Sequence, residues 1–327
     1  MYKTLLVALL IAFFAGCSAP KPKTPPTWYT SPPQDFNYFY AVGAADEEIK
    51  ARNIAILSLR ELLAKEMITA FNDPNHKLGS LQKNEQAQLA QSAKHLANTI
   101  SMRNVELEKS EQYDGYTLVL VKIARKGIFD AMQKASSNKF DTLQEKYKDL
   151  QTKKAIEQYS ELATLLDEYH TLATYAQLKE SSISTYRADK EFSLLKSIKE
   201  RYETLGSNIS FYVLSDANSI AFIQTIKDAI TKTGLEISKK PKSKEALTLL
   251  MTSQTEQSMD YSFMKSKSLI QFKVYDVEKN EIASRQHTVI GKSRKDYLDA
   301  KIQSAKSLQG VIHKIGVFDT LGLKEKK

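Results

Sequence analysis

The sequence predicts an α+β protein in three folded parts: an N-terminal α+β layer module, a long helical hairpin, and a C-terminal α+β domain on an antiparallel sheet. Three observations predict it. Hydrophobic period changes between two and 3.6 in the order β-α-α-β-β-α over residues 36–137. Gly and Pro then disappear between Asn138 and Gly206, as continuous helix requires. From 207 to 323 the alternation returns as β-α-β-β-β-β-α.

In chain order, Met1-Tyr2-Lys3 is a short positive start, Thr4–Phe14 is an almost unbroken apolar run, and Ala15-Gly16-Cys17 closes it. That run is too short for a helix of roughly 20 residues across a bilayer, so residues 1–16 read as a signal peptide. The ending resembles the lipobox of bacterial lipoproteins, although Phe14 stands where Leu is usual. The resemblance implies cleavage before Cys17, a diacylglyceryl group on its sulfur and acylation of its amine, and so a membrane as first partner. Cys17 is the single cysteine, so its lipidation leaves no disulfide and no thiol nucleophile. Ser18 follows it; the Asp that favours inner-membrane retention in enteric bacteria is absent, which is compatible with outer-membrane sorting.

The chain has 327 residues with 47 Lys+Arg against 38 Asp+Glu, a net charge of +9. Only Lys3 is charged within residues 1–16, so the mature chain carries 46 against 38, or +8. A lipid-anchored protein of the envelope does not meet nucleic acid, so the anions it would encounter are head groups, lipopolysaccharide phosphates and acidic polymers.

Residues 17–35 are a Pro-rich tether, extended and solvated. Trp28 and Tyr29 near its end are candidate partner-binding residues, Trp28 covering an edge of the first domain. Tyr38–Gly43 predicts a strand. Asp46-Glu47-Glu48 places carboxylates at the positive end of the next helix, Ile49–Phe71, whose Ala51, Ile54, Ala55, Leu59, Leu62, Leu63 and Met67 form one face. Asp73-Pro74 stops it. A second helix spans Leu78–Ser101, Val105–Glu108 and Tyr116–Ala124 form a hairpin around Asp114-Gly115, and Gly127–Ala135 is a short closing helix.

Trp28-Tyr29 with Pro32-Pro33 and Asp35, then Phe39-Tyr40-Ala41-Val42-Gly43-Ala44-Ala45, then a helix with Ala51, Ala55, Leu59 and Leu62, resembles the twenty-kilodalton membrane-associated lipoprotein (Lpp-twenty) family of epsilon-proteobacteria. The Tyr-rich stretch Tyr116–Lys122 belongs to the same resemblance, which covers residues 17–135 and no catalytic residue. It implies an outer-membrane lipoprotein, with some relatives attached to the flagellar apparatus.

Over 138–206, Phe140, Leu143, Tyr147 and Leu150 form one helical run. Ala155, Tyr159, Leu162, Leu166, Tyr169, Ala173 and Ala176 form a second, offset from it as a coiled-coil stutter would be. Ser181–Ser184 is the turn, and Leu195, Ile198, Tyr202 and Leu205 line the returning helix; spacing leaves open whether the hairpin pairs within or between chains, so a homo-oligomer is possible. In the last third, strands are expected at 209–214, 235–238, 247–253, 268–276 and 281–291, with helices at 219–233 and 297–316.

Lys239, Lys240, Lys242, Lys244, Lys265, Lys267, Lys292, Arg294 and Lys295 form a basic group in sequence; gathered by strand ends, they are the candidate docking residues for an anionic polymer or lipid. Gly291-Lys292-Ser293 ends like a phosphate-binding loop, but Gln286 stands where that motif needs its first glycine. The five histidines (His76, His95, His170, His287, His313) include no pair at i,i+3 or i,i+4, and neither a metal nor another cofactor is expected. The expectation is a non-enzymatic outer-membrane lipoprotein facing the periplasm, a scaffold contacting envelope proteins, with an anionic-surface binder as the alternative.

Overall fold

The computed structural model describes residues 24–241 and 243–323; Cys17, the signal segment, the tether before Thr24 and Lys242 lie outside them. The chain forms two compact units. The first takes the residues up to Asn72 together with Ala90–Gln133 and Gln177–Arg187; the second takes Asp73–Leu89, Lys134–Ala176 and Ala188 onward.

The elements of the first half are α1 (Thr27–Thr30), β1 (Tyr38–Ala45), α2 (Glu48–Phe71), α3 (Lys83–Thr99), β2 (Glu106–Tyr113) and β3 (Tyr116–Ala124). In the first unit the three strands form an antiparallel sheet in the order β1-β3-β2. Asp114 and Gly115 both take positive φ, 49° and 82°, the geometry a tight hairpin demands. α2 packs on one face, burying Ala51, Ala55, Leu59, Leu63 and Met67, whereas Ile54, expected on that face, lies one residue before Ala55 and so about 100° round the helix, and is exposed. Gly43 lies directly beneath it: a Cβ there would collide with the Ala51 carbonyl and stand 2.6 Å from the Ala55 nitrogen. β2 is an edge strand, exposed along nearly its whole length and bulged between Leu107 and Lys109. Its charges and its bulge are how edges resist pairing with other chains.

The middle of the chain holds four helices: α4 (Arg125–Leu150), α5 (Ala155–Leu166), α6 (Tyr169–Ser182) and α7 (Asp189–Asn208). The expected closing helix and first arm are one continuous helix, α4, because Ser136 is fully buried and packing overrides the poor helix propensity of Ser136-Ser137-Asn138. The offset expected as a stutter is a break instead. Lys153 N bonds to Leu150 O at 3.0 Å and Gln158 Nε2 returns to Lys153 O at 2.7 Å, which closes one helix and opens the next. A second break falls at Asp167-Glu168. α5 and α7 pack together within the second unit.

The second unit continues with β4 (Ser210–Ser215), α8 (Ile220–Lys232), β5 (Glu236–Ser238), β6 (Ala246–Asp260), β7 (Phe263–Tyr275), β8 (Glu281–Ser293), α9 (Tyr297–Ile315) and α10 (Val317–Leu321). The sheet order is β5-β4-β6-β7-β8. It is mixed where an antiparallel sheet was expected: β4 runs parallel to both β5 and β6, because α8 carries the chain back between β4 and β5 as a crossover. β6, β7 and β8 form a long antiparallel meander.

The face holding Phe211, Leu249, Met251, Ile270, Phe272, Val274 and Val289 is buried beneath the helices, with α8 against β4 and α9 against β7 and β8. Gly291 repeats the arrangement of Gly43, since a Cβ there would collide with the Ala300 carbonyl and the Ser304 nitrogen of α9. The string that ends like a phosphate-binding loop is therefore a strand segment pressed on a helix. Asp296 caps α9, its carboxylate accepting from Asp299 N at 2.7 Å. Where α5 meets the rest of this unit, Tyr159 stacks on Tyr202 at 4.5 Å between centroids.

Candidate partner-binding surfaces

The first surface belongs to the first unit. Trp28 and Tyr29 lie in α1, a single turn held by Tyr29 N to Pro26 O at 3.0 Å and Ser31 N to Thr27 O at 2.8 Å. Their rings meet edge to face at 6.1 Å, and α1 contacts β3. Both side chains are half-buried, so part of the pair's surface is spent on the module itself. Leu118 and Leu120, on the sheet face away from Gly43 and α2, are buried.

Beside them on that face stand Tyr38, Tyr40 and Lys122, placed together by the register Tyr40↔Lys122. Lys122 Nζ lies 2.6 Å from Glu108, 3.6 Å from Glu106 and 5.0 Å from the Tyr38 ring centroid. The Glu108 hydrogen bond holds the Lys122 ammonium above its usual range. Burial, followed by the charges of Asp35 and Glu108, raises the Tyr40 phenol. The strip is aromatic with its charge internally paired.

Two cations anchor this unit. Arg125 donates through Nε to Asp35 O (3.2 Å) and Tyr38 O (3.3 Å), and through Nη1 to Ser181 O (3.0 Å). Lys179 is buried, with Nζ 3.1 Å from Gln133 Oε1 and 5.3 Å from the Tyr186 ring centroid. Neither was expected from the sequence, where no local pattern marks a cation for burial.

The basic residues of the second unit do not form one group. Lys239 and Lys240 follow β5 and Lys244 precedes β6, in a loop pinned by Ser243 Oγ to Asn208 O at 2.8 Å. Lys292 lies near the end of β8, opposite Lys265, which in turn faces Ser258. From Ala246 to Ser258 the strand rises about 40 Å, so the two sets sit at opposite ends of the sheet. The physical reason is length and direction: the three residues of β5 reach only Ser210–Tyr212 at the start of β4, where β6 also begins, whereas the end of β8 is level, across β7, with the far end of β6. Arg294 lies over the Phe263 ring at 4.7 Å, and Lys295 N donates to Ser293 Oγ at 3.0 Å.

At that far end the β6–β7 turn exposes Tyr261 (97%) and Met259 (66%), with Tyr261 at φ 56°. The sequence reads through this turn, because no Gly, Pro or Asn marks it. The sheet face opposite the helices carries Thr252, Gln254, Leu269, Gln271, Gln286 and Thr288, with Leu214, Leu269 and Ile290 38%, 38% and 42% exposed.

A groove of about 760 Å³ runs between α8 and α9 past Asp228, Ala229, Lys232, Lys306, Gly310 and His313. Among the described residues no three His, Cys, Asp or Glu side chains are placed to share a metal ion. His287 Nε2 is 2.9 Å from Thr320 O, His76 packs on Phe192 at 5.0 Å, and burial lowers the His170 imidazole. Among the described residues no helix is long and apolar enough to cross a membrane.

No family model matches the chain, and no curated protein matches it. Among solved structures, a secreted protein of Helicobacter pylori aligns with 12% identity and TM-score 0.33, over 85% of this chain and 98% of that one. A minor lipoprotein of Acinetobacter baumannii aligns with 11% identity and TM-score 0.27, over 35% of this chain and 94% of that one.

Proposed function

We propose that the chain is a non-enzymatic lipoprotein of the outer membrane, anchored through Cys17, that acts as a scaffold for other envelope proteins. The Lpp-twenty resemblance of residues 17–135 supports the address and extends the partner class to the flagellar apparatus. The observation that carries the scaffold reading is the uncovered face of the five-stranded sheet. There Leu214, Leu269 and Ile290 stand partly exposed among Thr and Gln side chains, the mixture of apolar contact and adaptable hydrogen bonding found at protein interfaces. Because Thr27–Thr30 is folded against β3, the spacer left between Cys17 and the first unit is Ser18–Pro26. That spacer reaches at most about 30 Å.

The test is crosslinking and pull-down from envelopes with wild type, Cys17→Ala and Leu269→Asp. The proposal expects wild type to fractionate with the outer membrane and to capture a defined protein set, itself included if copies pair. Cys17→Ala should lose the membrane fraction, and Leu269→Asp should keep the membrane fraction and lose the partners. Identical fractionation of Cys17→Ala would remove the anchor; an unchanged protein set with Leu269→Asp would remove the sheet face. A second reading, binding of an anionic envelope surface, is favoured by the grouping of Lys265, Lys292 and Arg294 at one end of the sheet.

A further inference from the structure

We infer that the uncovered face of the five-stranded sheet pairs with the same face of a second copy of this chain, as a reversible two-fold dimer. The inference rests on the scaffold reading of that face and deepens it by naming the partner. Strand register sets the side chains of this face in rows. One row is Leu214, Leu250, Lys273 and Ser284, and a later one is Glu256, Lys267 and Ile290. Between them lie Thr252-Gln271-Gln286 and Gln254-Leu269-Thr288, two rows without a charge. The charges that bound the two rows are paired within the face, Lys273 with Glu281 at 3.0 Å and Lys267 with Glu256 at 3.5 Å.

Charge selects the occupant. The chain carries a net charge of +9, so two copies repel one another in most orientations. A face whose bounding charges sum to zero is a place where they can meet. A face-to-face pair of identical surfaces has its two-fold axis in the plane between the sheets. Laid along the strands between β6 and β7, that axis sets β6 against β7 of the second copy, row for row. Glu256 then faces Lys267 of the second copy, and Lys267 faces its Glu256. Gln254 faces Leu269, Thr252 faces Gln271, and Leu250 lies under the apolar stem of Lys273. No cation directly faces a cation, since Lys265, one row beyond, meets Ser258. An axis laid across the strands instead would set Lys273 against Lys267. The Glu256 and Lys267 side chains are 77% and 51% exposed, so their own pairing leaves most of each group open to the second copy.

Size sets the strength. From Thr248 to Glu256 a strand runs about 27 Å and four strands span about 19 Å, so the face offers at most on the order of 500 Å² per copy. A standard interface takes about 800 Å² from each partner, so this association is reversible and concentration-dependent. Two sheets whose strands align within about 30° pack in this manner.

The test uses the mature chain, residues 17–327, with Cys17→Ser, in sedimentation runs from low micromolar to near-millimolar concentration. The otherwise unaltered chain should pass from monomer to dimer, and Leu269→Asp should stay monomeric. Glu256→Lys and Lys267→Glu, each by itself, should weaken the dimer at least several-fold, because each sets like charges face to face at two places. An equimolar mixture of these two variants should restore it, since the mixed pair matches opposite charges at both places. Monomer throughout, a dimer that survives Leu269→Asp, or a mixture no tighter than either variant would overturn the inference. If the unaltered chain is monomeric while Leu269→Asp still loses envelope proteins in the pull-down, the face belongs to a foreign partner; the inference fails and the scaffold reading stands. If the dimer behaves as described while the captured protein set ignores Leu269→Asp, the inference stands and the scaffold reading falls. Circular dichroism of each variant confirms that it is folded.

Discussion

The Arg125 guanidinium lies on the Phe39 ring, 3.7 Å from its centroid. Phe39 is buried at the start of β1, and the same guanidinium reaches carbonyls of Asp35, Tyr38 and Ser181. A planar fork is needed to stack and to bond in several directions at once. Arg125→Lys should therefore cost about 2 kcal/mol in urea unfolding rather than act as a conservative change. A midpoint equal to wild type would show that the carbonyls find other donors.

Glu66 lies 4.0 Å from that arginine. Burial raises its carboxyl above the usual range, and the Arg125 charge recovers only part of the shift. A raised folded pKa favours the folded state most below the unfolded value near 4.5 and loses that advantage as pH rises through the folded value. Glu66→Gln should accordingly raise the urea midpoint at pH about 7 relative to wild type, and the gain should fade below pH about 4. A gain that is independent of pH would contradict the burial account.

Gly43 and Gly291 each hold a strand against helix backbone. Gly43→Ala and Gly291→Ala must displace α2 or α9, with an expected loss of about 2–3 kcal/mol each. Gly310 is the internal contrast. It lies within α9 with nothing inside 4 Å of an added Cβ, so Gly310→Ala should stabilise by about 0.5–1 kcal/mol. Thermal unfolding of the three variants gives opposite signs if the close approach is the cause.

Asp216 accepts from Ser219 N at 2.8 Å and Ser253 N at 3.3 Å. Burial alone would raise its carboxyl, but these hydrogen bonds outweigh it and the net direction is down. A depressed folded pKa contributes stability above the ordinary carboxylate range and loses it as pH falls through the folded value. Asp216→Ala should cost about 1 kcal/mol at neutral pH, with wild type and variant converging in acid. Parallel pH curves would mean that the carboxylate charge is irrelevant there.

Tyr159 Oη stands 2.6 Å from Thr233 O and 2.9 Å from Tyr202 Oη. The carbonyl only accepts, so Tyr159 donates to it and Tyr202 donates to Tyr159. Tyr159→Phe leaves the carbonyl unpaired and should cost about 1–3 kcal/mol, more than Tyr202→Phe. The two midpoints measured side by side test the order.

Local rules made much of this chain legible. Tyr38–Ala45, Glu48–Phe71 and the Asp114-Gly115 hairpin follow from period and turn chemistry, as do the five strands after Asn208. The helical middle was legible as helix but not in its lengths, because Ser136 is carried through α4 by burial and the break after Leu150 is made by Gln158 closing on Lys153.

The sequence by itself determined the α+β class, the element types and the lipobox-like Cys17, since these depend on spacing along a few residues. Only the tertiary structure decided which residues meet. The parallel pairing of β4 with β5 and β6 separated Lys239, Lys240 and Lys244 from Lys292 and Arg294, and a turn without glycine left Tyr261 exposed between β6 and β7. Strand direction and pairing are set by burial across the whole sheet, and no window of sequence contains that information.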